Sequence, residues 1–66
     1  MKLHATMLPY SGTVGSGGLR LIDEGGNLRF LVPIIAASKS ITKEQTAAIA
    51  SALINGIPEP IEVPEA

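Results

Sequence analysis

The sequence predicts a small α+β domain: a three-stranded antiparallel sheet followed by one α-helix, βββα in chain order, assembled as a homo-oligomer. Three observations carry this expectation. Residues 19–22 and 28–32 are aliphatic arms on either side of a glycine-bearing turn, the signature of a β-hairpin. Residues 42–56 open on a helix start signal and close on a stop signal. Both units are apolar on more than one face, and a lone hairpin-plus-helix covers only one face of each.

The first strand is Lys2 to Leu8. Leu3, Ala5 and Met7 fall on one face and Lys2, His4 and Thr6 on the other, and Pro9 ends the run. Residues 11–18 follow, with glycine at four of the eight positions. The hairpin comes next. Its turn, Asp23-Glu24-Gly25-Gly26-Asn27, has two glycines that take positive φ at little cost, as a bulged hairpin loop requires. Simple alternation places Leu28, Phe30 and Val32 on one face of the third strand and Arg29 and Leu31 on the other. Pro33 has no N–H, so the strand either lies at a sheet edge there or ends there.

The helix opens on Thr42-Lys43-Glu44-Gln45, the spacing of a capping box, with Thr42 at the N-cap and Gln45 at N3. Asn55-Gly56 and Pro58 stop it. Ile49, Ala50, Leu53 and Ile54 form its large apolar stripe, and Ala48 and Ala52 a second stripe of small residues. Residues 1–56 are thus one domain. Residues 57–66 hold three prolines and read as an extended, polyproline-like tail, either disordered or lying on a neighbouring subunit through Ile57, Ile61 and Val63.

Composition narrows the function classes. A chain of 66 residues buries only about 60% of its unfolded surface and is marginal alone. With no cysteine and a single histidine, disulfides and thiolate zinc sites are excluded, so oligomerisation is the stabilising device left. The mean hydropathy of +0.33 agrees with that. Net charge is −1, too near neutral for non-specific nucleic-acid binding. The charges are nevertheless uneven: Lys2, Arg20, Arg29, Lys39 and Lys43 all precede a tail that holds Glu59, Glu62 and Glu65. No export signal and no membrane-length apolar run is visible, which points to a cytoplasmic protein with no membrane partner.

No catalytic constellation is present, and no cofactor or metal is expected. His4 has no acid near it in sequence, and Asp23-Glu24 sit in a turn where acids are common. The chemistry-bearing candidates are therefore binding residues. Arg20 and Arg29 are expected at near-opposite positions on one face of the hairpin, where like charges cost stability unless an anion offsets them. Gly15, Ser16, Gly17 and Gly18 offer unobstructed backbone N–H groups beside them, as a phosphate cradle does. That loop precedes a strand rather than a helix, so it matches neither nucleotide-binding fingerprint, and composition alone favours a linker.

The hairpin from Leu21 to Val32, followed by a helix closing on Ile49-Ala50-Ser51-Ala52-Leu53-Ile54-Asn55, resembles small accessory proteins of phages and prophages. The resemblance is one of pattern and covers about half the chain. It implies a non-enzymatic binding protein, an inhibitor of a bacterial defence protein. The alternatives are an oligomeric sponge that sequesters an anionic nucleotide signal, using the residues above, and a structural oligomer.

Overall fold

A computed structural model describes residues 1–8 and 16–65. Four strands and one helix follow in the order β1 (Lys2–Leu8), β2 (Ser16–Asp23), β3 (Leu28–Ile35), α1 (Lys43–Asn55) and β4 (Ile61–Glu62). They form one antiparallel sheet of order β3-β2-β1-β4 with α1 packed on one face.

The expected α+β class is observed with one strand more than expected. Part of the tail is β4: Leu3 pairs with Ile61 and Lys2 with Glu62. Val63 N–H donates to the Met1 carbonyl at 2.8 Å, and the Met1 ammonium donates to the Val63 carbonyl at 2.9 Å. The proline-rich composition reads as extended backbone, and extended backbone is what a free sheet edge accepts. Pro58, Pro60 and Pro64 flank the paired residues, so no ladder donor is lost. The tail thus lies on its own chain.

β2 begins at Ser16, earlier than expected, because Ser16, Gly17 and Gly18 pair with Ile35, Ile34 and Pro33. Gly18 is required there. A Cβ on it would stand 2.3 Å from the Val32 carbonyl oxygen, so the strands approach at a distance only glycine tolerates. β3 continues through Pro33 to Ile35 because it is an edge strand. The hairpin turn is built on Asp23, whose Oδ1 accepts from the N–H groups of Gly25 and Asn27, both at 2.9 Å. Gly26 takes the left-handed conformation there (φ 82°).

The helix has its expected cap. Gln45 N–H donates to Thr42 Oγ1 at 3.1 Å and Thr42 N–H donates to Gln45 Oε1 at 2.8 Å. Gly56 ends the helix, donating to the Ala52 and Leu53 carbonyls. Its faces are those expected only in part: of the large stripe Ala50 is buried and Ile54 half-buried, but Ile49 and Leu53 are 54% and 47% exposed. The side turned to the sheet carries Thr46 and Ala50. Beneath α1 lie Leu3 and Leu19, which share the covered face of the sheet and are at most 2% exposed. These leucines fill the space between the layers, so only small helix residues fit above them. The Thr46 hydroxyl donates back to the Thr42 carbonyl at 3.2 Å.

Two outcomes follow. Gly18→Ala forces β2 and β3 apart and lowers the thermal midpoint by several degrees, on the basis that about 1 kcal/mol moves a domain of this size by roughly 4–8 °C. Thr42→Ala removes the cap and costs about 1 kcal/mol. Circular dichroism melts check both, and an unchanged Gly18→Ala midpoint contradicts the close approach.

Candidate interaction surface

Most of the exposed large apolar residues lie on β3, in the segment after it and on the outer side of α1. By register, Phe30 and Val32 of β3 share the helix-covered face with Leu19 and Leu21, whereas Leu31 pairs with Arg20 on the open face. α1 sits mainly over β1 and β2 and touches β3 least, so most of β3 is left without a covering layer. Leu28, Phe30, Leu31 and Val32 are all exposed, and Ile35 at the strand's end is 74% exposed. Where β3 runs out, Ile34, Ile35 and Ala37 face Ile41, Ala48 and Ile49 across a groove of about 500 Å³. Its lining is almost wholly aliphatic. Gln45 and Thr46 are its polar lining residues, and Gln45 Oε1 and the Thr46 hydroxyl are already used in the helix cap and the Thr42 carbonyl bond.

The expected binding residues are dispersed by this geometry. A bulge changes the β2–β3 register: Leu21 pairs with Phe30 but Ile22 with Leu28, so Arg29 is the extra residue on β3. The two arginines are therefore not opposite each other, which corrects the alternation of the sequence. Arg29 is committed to Asp23, Nε to Oδ2 at 2.7 Å. Arg20 pairs with Leu31, and its Nη2 donates to the Met7 carbonyl at 3.2 Å. Its Nε is buried and has no hydrogen-bond partner among the described residues. Gly17 and Gly18 are strand residues and Ser16 starts β2. Gly15, with the remainder of the expected glycine-rich loop, lies outside the described residues.

A polar cluster at the other edge was not legible in the sequence. His4, on β1, is hydrogen-bonded through Nδ1 to Glu59 of the tail and through Nε2 to Glu24 of the hairpin turn, the latter at 3.2 Å. Alternation places His4 on the open face, but its acids lie 20 and 55 residues away and meet it only through the fold. Both ring nitrogens are occupied by carboxylates, so neither is free to take a substrate proton. Among the described residues, no group of three or more histidines and acids is arranged to hold a metal ion. The cluster ties three segments together. The Met1 ammonium adds a second tie to the tail, 2.6 Å from Glu65.

The titrations follow from these contacts. The bond to Glu59, then that to Glu24, raises the His4 pKa above its ordinary value. The Asn27 backbone N–H, then Arg29, lowers Asp23 to about 2. The N-terminal ammonium lowers Glu65. Family models, curated proteins and solved structures contain no match to this chain. Among the described residues no helix is long and apolar enough to cross a membrane.

A pH dependence follows with its sign. His4 is raised on folding, so its contribution is fully present below its unfolded value of about 6.5 and is lost as pH rises through the higher folded value. Asp23 is lowered, so its contribution holds above its unfolded value of about 3.9 and is lost as pH falls toward 2. Between those limits the melting temperature is highest, and it falls on the alkaline side. His4→Gln flattens that alkaline limb while leaving the acid limb in place. Melts of both proteins from pH 2 to 9 check this, and parallel curves along the alkaline limb contradict it.

Proposed function

We propose that this chain is a non-enzymatic binding protein that works as a homo-oligomer: a cytoplasmic accessory protein of phage type that inhibits a bacterial defence protein by contact. The observation that carries the reading is the aliphatic surface of β3, the groove and the outer side of α1. Monomers of this size seldom leave so many large apolar residues exposed and contiguous unless another macromolecule covers them. The single histidine is held between carboxylates, and among the described residues no hydroxyl is bonded to it, which supports binding rather than catalysis.

One observation favours a second reading, the oligomeric sponge for an anionic nucleotide signal. The buried Nε of Arg20 is a donor whose desolvation is offset by nothing among the described residues. A phosphate oxygen is the acceptor that suits it. Against this reading, Arg29 is already neutralised by Asp23 and does not converge on Arg20.

Ile35→Glu and Ile49→Glu test the first reading. Both positions are exposed, so each variant changes stability by only about 0.5 kcal/mol. In bacteria carrying a defence system that the unmodified protein suppresses, each variant restores protection against phage, while Arg20→Lys suppresses it as before. If instead both glutamate variants still suppress and Arg20→Lys does not, the nucleotide reading replaces the contact reading. Native mass spectrometry of freshly purified protein then identifies the bound anion.

A further inference from the structure

We infer that the subunits of this protein meet along β3, two copies pairing antiparallel about a twofold axis to join their sheets into one. This rests on the homo-oligomeric reading above and assigns its contact.

The first argument is area. The chain exposes 4610 Å². A compact monomer of 6.8 kDa exposes about 4,000 Å². The excess, roughly 600 Å², is surface this chain leaves in water beyond what a compact chain of its mass does. The radius of gyration agrees, at 13.0 Å against about 11 Å for a compact chain of this length.

The second argument is which faces are apolar. Phe30 and Val32 project from one side of β3, Leu28 and Leu31 from the other, and all are exposed. A partner laid on one side of the sheet covers one set and leaves the other in water. A strand placed beside β3 extends both faces at once and gives each set apolar cross-strand neighbours. A second copy of β3 is such a strand, and its side chains match by symmetry.

The third argument is what the edge lacks. Exposed edges are commonly guarded by charges, lysine above all. β3 carries one charge, Arg29, and that is spent on Asp23. The guards present are the bulge at Arg29 and the missing N–H of Pro33. They bracket Phe30, Leu31 and Val32, so the shared ladder centres on those three residues. The opposite edge of the sheet is already occupied at Lys2 and Leu3 by β4.

The absence of cysteine makes the test direct, because any disulfide formed by a single introduced cysteine joins two chains. Phe30→Cys, Leu31→Cys and Val32→Cys are compared with Ile49→Cys and Ser51→Cys on the helix. Light scattering of the unmodified protein is run over a range of concentrations, and circular dichroism confirms that each variant is folded. The expected result is a mass of two chains, or an even multiple. Mild oxidation then gives a covalent dimer at the β3 position nearest the axis and little at Ile49 or Ser51. Antiparallel neighbours stand about 4.5–5.5 Å apart at Cα, within disulfide reach. Leu31→Glu is expected to halve the mass with the helix signal unchanged. An oligomer that cross-links through Ile49 or Ser51 but nowhere on β3 overturns this contact and leaves the homo-oligomer standing. A single-chain mass at every concentration overturns both.

Discussion

The distance at which α1 sits above the sheet governs the rest of this structure. Leu3 and Leu19 fill the covered face, and Thr46 and Ala50 are the helix residues that fit over them. Each buried leucine contributes about 1.5–3 kcal/mol, so this small contact is a modest core. It holds the helix close, with its axis placed by β1 and β2. That close seat turns Ile49 and Leu53 outward, since both sides of a helix cannot face one sheet. The exposed aliphatics are therefore a consequence of how the core is packed. They are not scattered accidents of a surface.

The same seat leaves most of β3 outside the shelter of the helix. An edge strand with one helix-covered neighbour is normally polar on its outer side. Here both sides are aliphatic, and the residues beyond it, Ile34 to Ile41, continue the surface into the groove. The opposite edge has the reverse character. There β4, the Met1 ammonium, His4, Glu24 and Glu59 close the sheet with polar contacts among exposed groups. Exposed ion pairs of this kind contribute little individually. Their effect is to fix where the tail lies, on Lys2 and Leu3 at one edge of the sheet, while β3 forms the other edge. The two edges differ in character: one carries polar, pH-sensitive contacts, the other aliphatic side chains.

How much of this was legible in the sequence depends on whether the deciding signal was local. The capping box at Thr42 and Gln45 and the stop at Gly56 are spaced within one or two turns, and both are seen as expected. The hairpin was legible for the same reason: Asp23, Gly26 and Asn27 make their own turn. Pro33 marked an edge strand correctly. What was lost needed partners far along the chain. β4 exists because Ile61 finds Leu3, and nothing in a proline-rich segment names the edge it will choose. The helix was read by its largest residues, whereas the depth of the leucines across the interface decided which side turned inward.

The candidate site shows the same division. The apolar character of β3 on both faces was readable from composition, since no register can hide so many aliphatics. The pairing of Arg20 with Arg29 was not readable, because one inserted residue in a strand shifts every later side chain to the other face. The bulge at Arg29 is such an insertion, and Asp23 holds it in place by taking the guanidinium. That bond removes the one charge that would oppose a second strand beside β3. The turn chemistry that makes the hairpin therefore also prepares its outer edge. In this chain the anchoring of Arg29 links the local fold to the surface on which the proposed function rests.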